Sequence, residues 1–145
     1  MTVNRSFIER NRASSTRMRE LALNLSNEQL RQPIGKQWTV YSTFAHLAFW
    51  DLRVMHILDE TKREGKLVAP EIDVAINDIL NTLFLAIPPR LAAQIALQTA
   101  EALDEMLENF PQNLLEQIHD REERWVIRAL HRDGHLDAIE AALRR

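Results

Sequence analysis

Arg128-Ala-Leu-His131-Arg-Asp-Gly-His135-Leu136 places two imidazoles four residues apart in what reads as the last long helix of the chain. At that spacing both rings share one helix face. Projected at about 100° per residue, the segment from Trp125 to Leu143 sets His131 and His135 beside Ile127, Ala138, Ile139 and Ala142, with Asp133, Asp137 and Glu140 opposite. The two histidines are therefore predicted to face the interior. Neutral imidazoles in a core need partners for their ring nitrogens, and a divalent metal with a third ligand from elsewhere supplies one. His46 is the candidate third ligand. Two hydrogen-bonded core histidines are the plainer alternative, because an i, i+4 pair is a weak motif in a chain with five histidines.

The rest of the chain agrees with a helical host for such a pair. Three glycines and five prolines among 145 residues, with long stretches rich in Leu, Ala, Glu, Gln and Arg, favour helix nearly throughout. The length suits a single domain, residues 1–145, with a core that needs no disulfide. There is no cysteine, which excludes disulfides, thiolate zinc sites and a cysteine nucleophile, and which fits a cytoplasmic protein. Eighteen Lys and Arg against 21 Asp and Glu leave no basic footprint for nucleic acid or an anionic membrane surface. The longest uncharged run, Gln37 to Trp50, is too short and too polar to span a bilayer, and the N-terminus has no signal-like apolar core.

Upstream, Phe7, Asn11, Ser14, Met18, Leu21 and Leu25 alternate at spacings of three and four and define one face of a helix from about Arg5 to Leu25, with Glu9, Arg10, Arg17 and Glu20 on a solvated side. Asn11 and Ser14 interrupt this stripe, either near a ligand or, more simply, satisfied by backbone. Ser26-Asn-Glu-Gln29 has the form of a capping box for one short turn, stopped by Pro33 and Gly35. Thr39 is placed to cap a second helix reaching about Arg63, with Phe44, Leu47, Trp50, Val54, Ile57 and Leu58 inward, His46 at the edge of that arc, and Arg53, His56 and Glu60 facing away. Asp51 falls inside the apolar arc and needs an answer there: an arginine from the first helix, a backbone cap, or a role in orienting a metal-bound histidine.

An amphipathic segment carrying Ile72, Ile76, Ile79, Leu80, Leu83 and Ile87 inward is closed by Pro88-Pro89, which also open the next helix, Arg90 to Phe110. That helix turns Leu91, Ile95, Leu103, Met106 and Leu107 inward, and its alanines suit close packing. The linker before it is long enough to run the length of a bundle, which favours an up-down-down-up four-helix order without excluding simple alternation. After a short turn from Asn113 to His119, the last helix is expected from about Asp120 to Arg144, continuing through Gly134, whose missing side chain suits close approach by a neighbour. Glu116-x-x-His119 is half of a di-iron pattern that needs two such elements, and is set aside.

Trp38-Thr-Val, His46-Leu-Ala-Phe-Trp50-Asp51 and, after a long gap, His131-x-x-x-His135-Leu resemble the DinB/YfiT-like metalloenzyme family, and the order of helices matches over nearly the whole chain. The resemblance implies an up-down-down-up four-helix bundle with short helices in its connections, in which His46, His131 and His135 bind one divalent metal. It also implies homodimers and activities such as transfer of low-molecular-weight thiols, thiol-dependent isomerisation or metal-dependent hydrolysis. The chain departs from the pattern in being short at the C-terminus and in the charged Arg132-Asp133 between its paired histidines.

Three imidazoles form a neutral nitrogen set that suits zinc or nickel and leaves coordination positions open. Such an ion can lower the pKa of a water for hydrolysis or hold a thiolate as nucleophile. Around it, Arg128 is a candidate to receive a substrate carboxylate or to pair with an acid on a neighbouring helix, Trp50 to wall a pocket or fill the core, and Ser42 to contact His46 or bond its own helix backbone. The expectation is a metal-dependent small-molecule thiol transferase or hydrolase, with a catalytically silent binding or stress-response module as the alternative.

Overall fold

A computed structural model of the chain describes residues 3–145. It is mostly helical: α1 (Phe7–Asn24), α2 (Asn27–Leu30), a two-strand hairpin of β1 (Pro33–Ile34) and β2 (Trp38–Thr39), α3 (Val40–Glu64), α4 (Ile76–Phe84), α5 (Pro89–Glu108), α6 (Gln112–Arg121), a 3-10 turn (Glu123–Trp125) and α7 (Ala129–Leu143). None of these helices is long and apolar enough to cross a membrane.

Local chemistry sets the ends of the element that matters most. Ser26 and Gln29 form the capping box of α2, and Thr39 forms a second one with Ser42 at the start of α3. Each box satisfies two otherwise orphaned backbone donors. Gly65, at φ 70°, closes α3 in the left-handed conformation that glycine adopts without penalty. Pro89 opens α5, where its missing N–H is not needed.

α3 lies most extensively against α5, α1 touches α5 and α7, and α7 closes the arrangement against α3. Two apolar cores result. One joins Met18 and Ala22 of α1, Val40, Phe44 and Leu47 of α3, Ala92, Ala93, Ala96 and Ala100 of α5, and Leu136 and Ile139 of α7. The other joins Phe7, Val54, Ile57, Leu58, Leu103 and Leu107 with Leu115 and Ile118 of α6 and with Trp125 and Val126. At the junction of the two, each long helix contributes buried polar groups: Asn11 and Ser14, Asp51, Asp104, and Arg132.

Four expectations need correction. The last helix begins at Ala129 and not near Asp120, because Glu122 is extended (φ −161°, ψ 107°) and its side chain accepts from the Arg124 N–H to start the 3-10 turn. Ile79 and Leu83 are exposed, since the nine-residue α4 meets the body along one narrow stripe through Leu80, Asn81 and Phe84. Leu91 is also exposed, because α5 turns its alanines towards α3, and small side chains let the two helices approach closely. Gly134 faces open space with nothing within 4 Å of a side chain added there, so no neighbour exploits it.

Candidate metal centre

His46 stands on α3 less than two turns beyond the Thr39–Ser42 cap, and His131 and His135 project from one face of α7. Their tips converge. Nε2 of His46 lies 3.1 Å from Nε2 of His135 and 3.3 Å from Nε2 of His131, and one ligand atom from each ring falls within 4.8 Å of the others. A tetrahedral ion with bonds of 2.0–2.1 Å to nitrogen has ligand-to-ligand edges of about 3.3 Å. The two short separations match that edge.

Hydrogen bonding among the rings explains the cluster less well. A neutral imidazole nitrogen carries either one proton or one lone pair. Nε2 of His46 has two ring nitrogens at contact distance, so a single lone pair or a single N–H serves only one of them well. A cation at the common point is attracted to all three rings at once, provided each is in the tautomer that turns a lone pair inward. Burial keeps these lone pairs available: it lowers the pKa of His46 to about 3, helped by His135 and Arg128, lowers that of His131 to about 2, helped first by Arg128, and also lowers that of His135. All three rings are neutral at pH 7, the form that ligates. Trp38 packs edge-on to His46, with ring centroids 5.4 Å apart, and holds that ring from the hairpin side.

The carboxylate beneath the site is answered neither by an arginine of α1 nor by a backbone cap but from the start of α7, and Arg128 takes the second of its two expected roles, pairing with an acid on a neighbouring helix. Asp51, fully buried, accepts from Nε of Arg128 at 2.8 Å through one oxygen and from Nε of Arg132 at 3.2 Å through the other. Arg132 is fully buried as well. It donates to Asp104 at 2.8 Å, to Ser14 Oγ at 3.2 Å and to the carbonyls of Asn11 and Ala100 at 3.3 Å. Desolvation raises the pKa of Asp104, and Arg132 opposes that rise. Asn11 binds the backbone where α7 begins, donating to the Val126 carbonyl and accepting from the Ala129 N–H, while Ser14 bonds the Asn11 carbonyl. These two polar residues of α1 thus serve the scaffold.

Arg128 makes three contacts: with Asp51, with the Arg124 carbonyl at 2.9 Å, and, through Nη2, with Nδ1 of His131 at 3.2 Å. Guanidinium nitrogens only donate. Nδ1 of His131 is therefore the acceptor and its ring proton sits on Nε2. A histidine that ligates through Nε2 carries its proton on Nδ1 and commonly gives it to a carboxylate or carbonyl. Ligation by His131 through Nε2 accordingly requires Arg128 to release that ring. Nδ1 of His46 is buried without a partner.

The other sequence candidates are distributed as follows. The Ser42 hydroxyl bonds the N–H and the side chain of Thr39 in the helix cap. Asp51 reaches the histidines through Arg128. Trp50 packs 6.4 Å from His46, centroid to centroid, and its indole N–H donates to Asn77 at 2.8 Å. His56 is exposed and His119 stands apart from the site.

Above the histidines opens a cavity of about 370 Å³, walled by the three rings, Trp50, Val54, Trp125, Arg128 and also Arg53, Arg124 and Glu122. Arg53, expected to face away from the core, lines this cavity instead, as do Glu122, Arg124 and Trp125, which no pattern in the sequence singled out. Arg53 follows His46 by seven and Trp50 by three, the spacing of one helix face, and that signal was outweighed by its charge. Comparison of the chain with family models, with curated proteins and with solved structures gave no match.

Proposed function

We propose that this protein is a divalent-metal-dependent enzyme of small-molecule chemistry, a thiol transferase or hydrolase on a DinB/YfiT-like bundle. The observation that carries the reading is the meeting of three neutral imidazole nitrogens, at separations suited to one ion, on the floor of a cavity large enough for a small substrate. The up-down-down-up order is supported by the two cores: the C-terminal halves of α1 and α7 share one core with the N-terminal halves of α3 and α5.

His46, His131 and His135 would hold the ion, zinc or nickel by the chemistry of the donor set. When bound, a divalent ion supplies a Lewis acid that makes a water or a thiol nucleophilic near neutral pH. The chain's own residues do the remainder. Trp50, Val54 and Trp125 give the cavity apolar walls that limit water at the reacting centre. Glu122 is the single carboxylate among the lining residues and would be the group to take up a proton released in the cavity. The Asp51–Arg128–Arg132 group fixes the part of α7 that carries both histidines.

The test is metal retention. Untagged purified protein is expected to hold about one zinc or nickel per chain by the ligand logic above, measured by elemental analysis; His46→Ala, His131→Ala and His135→Ala each abolish retention and His56→Ala does not. Equal loss from the His56 change, or full retention in the triple change, overturns the assignment. Incubating loaded protein with low-molecular-weight thiols and an electrophile panel, read by mass spectrometry, then separates transferase from hydrolase.

A further inference from the structure

Arg53 is an unanswered cation. It projects from α3 into the cavity wall with its guanidinium 5.6 Å from the Trp50 ring and 5.0 Å from the Trp125 ring. One Nη donates to the Pro70 carbonyl at 2.8 Å, while its Nε is buried with no partner. Among the described residues no carboxylate comes within ion-pair distance of it. The other arginine on Trp125, Arg121, lies 5.6 Å from that ring and has Glu71 at 3.8 Å. Arg128, by contrast with Arg53, is bonded in three directions already. Arg124 is exposed at the rim.

A buried donor on a charged group that lacks an acceptor is costly, and an arriving acceptor would relieve that cost. The cavity also carries a surplus of one sign, with Arg53 and Arg124 against Glu122, since Arg128 is paired with Asp51 and the histidines are neutral. Low-dielectric walls of tryptophan and valine concentrate that potential. We propose that the cavity takes a small organic anion, a carboxylate on an apolar body, and that Arg53 is the group that receives the carboxylate while the body lies against the cavity's apolar wall. Desolvation and the neighbouring Arg121 both lower the pKa of Arg53, and an incoming carboxylate relieves that pressure. The assignment rests on the cavity being the substrate site of the enzyme proposed above, and anion binding itself needs no ion.

The test titrates the full chain, once stripped with chelator and once loaded with zinc, with 3-phenylpropionate and with its uncharged amide, following tryptophan fluorescence and heat. The acid is expected to bind the stripped protein at least about tenfold more tightly than the amide, the scale of one charged hydrogen bond. Arg53→Gln brings the acid down to the level of the amide, and Arg53→Lys keeps part of the preference. Arg53 also holds the loop at Pro70, and loss of that strap alone weakens acid and amide alike, so the ratio is the readout. Equal binding of acid and amide, no binding of either at millimolar concentration, or an undiminished preference in Arg53→Gln overturns the proposal. If circular dichroism shows Arg53→Gln unfolded, Arg53→Lys decides: an unchanged ratio overturns it. Zinc loss with an intact acid preference refutes the metal reading alone, and zinc retention without the preference refutes this one alone.

Discussion

Replacing Arg128 with lysine separates its two jobs. The wild-type guanidinium forks between Asp51 at 2.8 Å, the Arg124 carbonyl at 2.9 Å and Nδ1 of His131 at 3.2 Å. Lysine keeps a positive charge for Asp51 but cannot span three partners in fixed directions. Because the fork requires a lone pair on Nδ1 and ligation through Nε2 requires a proton there, metal loading in the wild type gives up one charged hydrogen bond of about 1.5–3 kcal/mol. Removing that contact beforehand removes the penalty, so Arg128→Lys is expected to bind zinc about ten- to a hundredfold more tightly. Competition against a chromogenic zinc chelator at pH 7.5 measures this, with urea unfolding in parallel to show that the variant is folded. Arg128→Gln, whose side-chain oxygen can accept from Nδ1–H, is expected to shift affinity in the same direction. A folded lysine variant that binds zinc no better than wild type, or worse, refutes the tautomer argument.

Other outcomes follow from the same network. His46 and His131 have folded pKa values depressed to about 3 and about 2, so below pH 6.5 the unfolded chain takes up protons that the folded chain refuses. Their contribution is therefore constant above that pH and becomes a loss as pH falls; metal-free protein is expected to lose about 3 kcal/mol between pH 7.5 and 5.5 by urea unfolding, about 1.4 kcal/mol per histidine per pH unit. A flat profile, or the same slope after both histidines are replaced by glutamine, contradicts this. Arg132→Met strands Asp104 and weakens the hold on Asp51, and is expected to cost about 3–5 kcal/mol of stability; a loss below about 1 kcal/mol would show that these carboxylates have other means of relief.

The parts legible in the sequence were those with short-range causes. The caps at Ser26 and Thr39 and the stop at Gly65 come from side chains bonding their own backbone, and α3 follows the expected limits within about a residue. The histidine face was legible because period alone sets it. What period could not set was rotation and partnership. Alanine carries little weight in an apolar projection, so the stripe Ala92, Ala93, Ala96, Ala100 that actually meets α3 lost to the bulkier Leu91. Arg132 stood out only as a charge between the paired histidines, whereas its guanidinium is fully buried among three other helices. No local pattern distinguishes an arginine that will meet Asp51 and Asp104 from one that will meet water, because both partners are supplied by distant helices. Arg53 differs: its spacing from His46 and Trp50 puts it on their face, and only its charge argued against it.

Arg132 immediately follows His131 in the chain and is bonded to groups on α1, α3 and α5 together. Sliding α7 along its axis by one turn, about 5.4 Å, would tear the guanidinium from all of them, whereas apolar side chains at the same level could trade one greasy neighbour for another. The ionic lock therefore works as a tooth in a ratchet, and the height at which the two imidazoles meet His46 is inherited from it. Anyone grafting this histidine trio onto another helical scaffold should carry Arg132, Asp51 and Asp104 along with the ligands.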